Sequence, residues 1–191
     1  CTSYFDFLTY PIATLGMSMI TYIILNNKDN KLLLKDIIIY SIMWGLGYGL
    51  MWGGKWLVGT LLTGENFFKS AMQAVETRSS STIGDSKITY ISVLYRNFGS
   101  YFSIPFIVIF VGLNIYYVIK LIKKFDINKL KCIFNYLLIS MMPLAWYFVL
   151  KNHSYIHNFF TYRSLVVLLF AYLCFISSLS EGEKSNEKER K

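Results

Sequence analysis

Five stretches of this chain contain no Asp, Glu, Lys or Arg: residues 7–27, 37–54, 97–119, 132–150 and 164–180. Each comes close to the roughly 20 apolar residues needed to cross the hydrocarbon core of a bilayer. A buried helix in a soluble protein rarely runs so long without charge. Charged residues make up 16% of the chain, against roughly 25% in average soluble domains, which argues against a disordered chain, a coiled coil or an ordinary soluble enzyme. Spans are expected at 7–26, 36–60, 103–122, 131–150 and 163–180. In hydrocarbon, backbone polar groups must be satisfied within the segment, so the spans are helices. The expected fold is all-α: a polytopic transmembrane helical bundle of about five spans over residues 1–180, with an external interfacial helical segment at about 61–102 and a charged tail at 181–191.

Lys and Arg set the orientation. Lys28, Lys31 and Lys35 lie between the first two expected spans, and Lys120, Lys123, Lys124, Lys129 and Lys131 between the third and fourth. Lys184, Lys188, Arg190 and Lys191 follow the fifth. The other side carries Lys55, Lys69, Arg78, Lys87, Arg96, Lys151 and Arg163, spread over longer segments. The denser side, tail included, is expected in the cytoplasm. The start of the chain, 61–102 and 151–162 are then external. The net charge of +8 is mostly this topology signal. Apolar spans separate the basic clusters, which excludes the continuous basic surface a nucleic-acid partner requires.

The chain opens at Cys1 and meets its first apolar stretch almost at once, which reads as a fragment of a longer membrane protein. Cys1, Cys132 and Cys174 show no metal-ligand spacing. Cys132 and Cys174 are expected to pack inside or near spans.

In the second expected span Gly45, Gly49 and Gly53 recur every four residues and form a smooth face where another backbone can approach. Trp44, Tyr48, Trp52 and Trp56 recur with the same spacing on a neighbouring face. They form either an aromatic packing ridge ending in the interfacial belt, or the wall of a cavity for a lipid chain or sugar. Lys55 stands near the external end of this span. It either snorkels to the surface or faces protein or water and holds a lipid phosphate.

Segment 61–102 divides into two amphipathic pieces. Thr63 is placed to cap a helix running to about Thr77, with Phe67, Phe68, Ala71, Met72 and Val75 on one face. Residues 78–85 read as a polar loop. Ile91, Leu94, Tyr95 and Phe98 then share a helical face, with Arg96 and Asn97 on its other side. The pair forms an interfacial platform or a spacer resting on lipid.

Segment 151–163, KNHSYIHNFFTYR, holds both histidines of the chain. His153 and His157 share a face if the segment is helical. Asn152, Ser154, Asn158, Thr161 and Tyr162 add hydrogen-bonding groups, and Arg163 adds a planar fork suited to phosphate. A zinc site needs three or four ligands, and the segment itself offers two, so no metal and no cofactor is expected. Arg163 is expected to open the fifth span, where a helix N-terminus favours anions.

The runs DFLTYP at 6–11, WGLGY at 44–48, WGGKW at 52–56 and NHSYIH at 152–157 with FTYR at 160–163 resemble the later part of bacterial multi-pass proteins of surface-polysaccharide synthesis. These are similar to the GT-C superfamily of glycosyltransferases that use lipid-linked sugars. The resemblance covers nearly the whole chain. It implies a membrane-embedded transferase using a polyprenyl-phosphate sugar donor at the outer face of a bacterial cell membrane. That superfamily's catalytic carboxylate lies in an early external loop that this chain lacks, so no catalytic residue is carried over.

The residues themselves fit such a role. Lys55, Arg96, His153, His157 and Arg163 can meet a phosphate, and Trp52, Trp56 and Tyr162 can stack on sugar or lipid. Asp6, at the external mouth of the first span, is the candidate acid or base, or else a helix N-terminal charge. Two other classes stay open: a transporter or flippase of lipid-linked sugars, and a non-catalytic membrane scaffold.

Overall fold

The computed structural model describes residues 11–25, 34–123 and 130–180. Cys1, Asp6, Lys28, Lys31 and the tail at 181–191 lie outside the described residues, as does the side chain of Cys132. Among the described residues 89% are helical, and the fold is all-α. We label its helices α1 (Pro11–Leu25), α2 (Leu34–Thr63), α3 (Phe67–Ser79), α4 (Tyr90–Tyr101), α5 (Ile104–Lys123), α6 (Leu130–Val149), α7 (Lys151–Ile156), α8 (Asn158–Thr161) and α9 (Leu165–Ser180). A 3-10 turn, Tyr162–Ser164, links α8 to α9, and a short hairpin, Thr82–Ile83 with Ser86–Lys87, lies between α3 and α4.

Among the described residues three helical runs are long and apolar enough to cross a membrane: Leu34–Thr63, Ile104–Ile122 and Asn158–Ser180. Pro11–Leu25 and Phe134–Val149 are apolar but shorter. This is compatible with an integral membrane protein.

The main core forms where α1, α6 and α9 meet. Ala13, Met19 and Ile20 from α1, Tyr136 and Ile139 from α6, and Val167 and Ala171 from α9 are all buried there. Cys174 packs against the same cluster, as expected of an apolar thiol. Pro143, fully buried within α6, removes the N–H that would bond the carbonyl of Ile139.

α1 and α9 approach closely at Gly16. A Cβ there would overlap the side chain of Val167, itself fully buried. The glycines of α2 behave differently from expectation. A Cβ at Gly45, Gly49 or Gly53 would meet nothing within 4 Å among the described residues. Neither α2 nor α5 is enclosed by the protein: the apolar window of α2 is 6% buried and that of α5 0%. Leu50, Leu61 and Leu62 on α2 and Ile104, Val108 and Ile122 on α5 are among their exposed residues.

Two polar links tie these outlying helices to the bundle. The Trp44 indole N–H donates to the Thr14 hydroxyl at 3.1 Å, joining α2 to α1. The Tyr172 hydroxyl donates to Asn114 Oδ1 at 2.6 Å, joining α9 to α5. An amide or hydroxyl in an apolar setting is costly unless bonded, so each link also fixes the rotation of its helix.

The turn after α2 corrects the expected cap. α2 runs on to Thr63, whose hydroxyl donates to the Gly59 carbonyl at 3.0 Å. Gly64, at φ +76°, supplies the left-handed stop, its N–H bonding the Thr60 carbonyl at 2.9 Å. The N-cap of α3 is therefore Asn66, whose side chain accepts from the Lys69 N–H at 3.1 Å, and the helix runs to Ser79.

These packing differences yield a paired expectation. Gly16→Leu forces a side chain into Val167 and should lower thermal stability in detergent by about 1–3 kcal/mol, the usual cost of overpacking. Gly49→Leu should leave the melting temperature unchanged. The opposite pattern would mean that the glycine face of α2, not α1, carries the tight helix contact.

Candidate functional site: a polar cap over the bundle

The segments 67–101 and 151–164, far apart in sequence, pack together into one cap. α4 lies against α7, α8 and the 3-10 turn, and α3 lies against α7. Its apolar centre is Ile88, Val93, Tyr147 and Leu165. Thr89 starts α4 with a capping box, its side chain accepting from the Ser92 N–H at 3.1 Å while Ser92 Oγ accepts from the Thr89 N–H at 3.2 Å.

The cap is organised by a break in the helix between Ile156 and Asn158. At a helix end the last carbonyls lose their intrahelical partners. Two side chains of α4 reach across to meet them. The Asn97 carboxamide N–H donates to the Ser154 carbonyl at 2.9 Å, and Arg96 donates to the Tyr155 carbonyl at 3.3 Å. Asn97 Oδ1 in turn accepts from the Thr161 hydroxyl at 2.7 Å. The Thr161 carbonyl accepts from the Tyr147 hydroxyl of α6 at 2.8 Å. Asn97, Ser154 and Thr161 are essentially fully buried. This rotates α4 from its expected orientation, although Leu94 and Phe98 still pack against the apolar centre and Arg96 stays exposed. Val93 and Asn97 face inward with no exposed surface, while Ile91 and Tyr95 are about 80% exposed. The apolar-face rule fails here because the surface that α4 meets carries free carbonyls.

The 78–85 loop is also more ordered than its composition implies. Thr82 pairs with Lys87 and Ile83 with Ser86. Gly84, at φ +54°, sits in the turn between them. Ile88 bonds the Ser81 carbonyl through its N–H at 2.8 Å and buries its side chain. The hairpin is held from α7: Asn152 donates to Ser80 Oγ at 3.0 Å and to the Thr82 carbonyl at 2.9 Å, and Lys151 donates to Ser81 Oγ at 2.7 Å.

The sequence candidates fall into distinct settings. His153 and His157 do share a helical face, their ring centroids 4.8 Å apart. His157 stacks on Phe160 at 5.1 Å and also meets Phe159. The pair is thus embedded in an aromatic cluster. Among the described residues no group of three or more His, Cys, Asp or Glu is placed to hold a metal ion. Arg96 lies over the Tyr155 ring at 4.3 Å while bonding that residue's carbonyl. Trp52 and Trp56 make an edge contact at 5.9 Å, and Trp56 meets Phe68 at 6.0 Å, so this ridge packs toward α3. Lys55 is half-buried beside them on α2, a helix whose main packing partners are α1 and α3.

Arg163 is exposed and has no partner among the described residues. The expected helix start beneath it is corrected: the helical run begins at Asn158, and the N–H groups of Tyr162 and Leu165 already bond to carbonyls behind them. Any anion there must be held by the guanidinium. Beside it an aromatic series descends from cap to bundle. Tyr162 meets Tyr101 at 6.1 Å, Tyr101 meets Phe106 at 5.1 Å, Phe106 stacks on Phe110 at 6.1 Å, and Phe110 meets Tyr172 at 6.0 Å. Burial, and then the neighbouring Tyr162 phenol, raise the Tyr101 phenol above its ordinary pKa, so it stays neutral throughout the physiological range.

The sequence reading overlooked Lys151, Asn97 and the Ser80–Ser81 pair. The lysine's place directly after an uncharged stretch made it look like an ordinary boundary charge. Comparison of the chain with protein-family models, with curated proteins and with solved structures gave no match.

Asn97→Leu removes the donor to Ser154 and the acceptor for Thr161 in one step. Each buried group left unsatisfied costs about 1–3 kcal/mol. The substitution should therefore lower the melting temperature markedly, and hydrogen exchange should quicken in 151–164 before it quickens in α6 and α9. Uniform exchange across the chain would show that the cap and the bundle unfold as one unit.

Proposed function

We propose that this chain is a membrane-embedded part of a glycosyltransferase that handles a polyprenyl-phosphate-linked sugar in surface-polysaccharide synthesis. In this reading the bundle crosses the bilayer five times, the cap lies at the outer surface and the tail is cytoplasmic. The observation that carries it is the exposed Arg163 guanidinium at the head of the aromatic series from Tyr162 to Tyr172. A planar guanidinium suits a phosphate ester, and a line of rings entering an apolar bundle suits an isoprenoid chain and a sugar face. The histidine pair, Arg96 and Lys55 give further polar and cationic surface, and Asp6 is the candidate acid or base.

A second reading is a non-catalytic membrane subunit. The uncovered apolar faces of α2 and α5 and the open glycine face of α2 favour it. Exposed apolar faces of this extent are served equally by lipid or by neighbouring helices.

The purified full-length chain, wild type against Arg163→Lys and Arg163→Ala, should show graded retention of polyprenyl phosphate. The lysine variant keeps the charge and loses the fork, so it should fall between the other two. Loss of a charged hydrogen bond of about 1.5 kcal/mol or more corresponds to roughly tenfold weaker retention for alanine. Equal retention by all three would leave Arg163 an interfacial anchor and overturn the phosphate reading.

The topology has its own test. Cysteines introduced at Asp85, in the hairpin turn, and at Asn186, in the tail, should be labelled by an impermeant reagent from opposite sides of the membrane. Labelling of both from outside would refute the five-span arrangement.

A further inference from the structure

Lys151 is 8% exposed. An ammonium taken out of water is costly unless its charge is met. Among the described residues its partners are the Ser81 hydroxyl at 2.7 Å and the face of the Tyr90 ring, 4.0 Å from Nζ to the centroid. Neither carries a negative charge. Cation–π attraction contributes about 0.5–2 kcal/mol, less than the several kcal/mol it costs to desolvate an ion. The protein thus keeps a buried cation in place with two neutral groups.

The surroundings are donor-rich in the same sense. An ammonium has three N–H donors, and a serine hydroxyl that accepts one hydrogen bond still has its own proton to give. Lys151 and Ser81 therefore retain donors after their mutual bond. Asn152 and Ser80, by contrast, are spent on each other and on the Thr82 carbonyl, where they hold the hairpin still. Arg78, two residues from Ser80, closes α3, and Lys87 stands opposite Thr82 in the hairpin. Arg78 thus precedes Ser81 by three residues, and Lys87 pairs with its neighbour Thr82. The nearby acids in sequence are Glu76 on the exposed side of α3 and Asp85 at the hairpin turn. Ser81 is only half-buried and Tyr90 is 50% exposed, so the rim of the cluster is open.

We propose that this hairpin cluster is a binding site for a phosphoryl anion, with Lys151 and Ser81 as its direct donors. The site is distinct from Arg163 and does not rest on the glycosyltransferase reading. The phosphoryl group belongs either to a lipid headgroup or to a soluble phosphate ester. Both present the same tetrahedral oxygens to an ammonium and a hydroxyl.

The test uses the full-length chain in detergent and in nanodiscs. The soluble arm titrates inorganic pyrophosphate and reads the melting temperature and the binding isotherm. The lipid arm measures retention of phosphatidic acid in nanodiscs, a headgroup phosphate other than the polyprenyl phosphate assigned to Arg163. Lys151→Met keeps an unbranched side chain only one atom shorter and removes its charge. It should lose at least tenfold in affinity in whichever arm the wild type binds, while its own melting temperature without ligand stays the same or rises. Ser81→Ala should lose about threefold. Binding in the soluble arm points to a free phosphate ester, and binding in the lipid arm alone points to a headgroup; either supports the site when it depends on Lys151. Wild-type binding in neither arm overturns the proposal. So does unchanged binding by Lys151→Met together with a lowered melting temperature, which would make Lys151 a latch for the hairpin. Should the methionine variant fail to fold, unchanged binding by Ser81→Ala overturns it as well.

Discussion

The broken helix between Ile156 and Asn158 is the constraint on which the cap depends. Breaking a helix inside a packed region leaves carbonyls that water cannot reach. The only remedy is to bring donors from elsewhere in the chain. Asn97 and Arg96 of α4 are those donors, and Tyr147 of α6 bonds the Thr161 carbonyl further on. Meeting the carbonyls therefore does more than satisfy them. It joins α4 to α7 and α8, and α8 to the end of α6, so that segments some 60 residues apart in sequence become one body. Such a network is strong only while every member is present, since low polarity around it raises both the worth of each bond and the cost of losing one.

Below the cap the balance of forces changes. α1, α6 and α9 hold together by close apolar packing, with Gly16 against Val167 as one close approach. α2 and α5 hold to that core through few contacts, each reinforced by a polar bond: Trp44 to Thr14, and Tyr172 to Asn114. In lipid, apolar surface gains nothing by leaving the solvent, so a buried hydrogen bond or a small-residue contact decides which faces meet. The two outlying helices fit that rule.

Much of the helical framework was legible because its signal is long and simple. Uncharged stretches of 17 to 23 residues leave little room for any structure but a helix. The clustering of His153 and His157 on one face was also legible, from their spacing alone. What escaped was everything decided by a partner surface. Asn97 was placed outward because its apolar neighbours Leu94 and Phe98 define an obvious face. It turns inward because the helix break opposite needs a donor, and nothing local in 90–101 announces that need. Thr63 had the chemistry of an N-cap, but Gly64 stops one helix just after it and leaves Asn66 to begin the next. The glycine repeat of α2 marks a surface on which a backbone can come close. It does not say that this chain supplies that backbone, and among the described residues it does not. Lys151 looked like one more boundary charge, and only the fold shows it enclosed beside the hairpin.

The length of α2 has a mechanical side. Its 30 residues extend about 45 Å at 1.5 Å per residue, while the hydrocarbon layer is about 30 Å thick. Even a steep tilt leaves part of it standing clear of that layer. Its far end is coupled to α3 through Gly64 and the contact of Phe67 with Gly59, and α3 leans on α7. Were α2 to cross a bilayer, as proposed, a thinner or thicker one would change the tilt of this rod, and its far end would swing with it. The cap would then be attached to a lever whose angle is set by the lipid, and membrane thickness itself would be an input to the geometry around the hairpin.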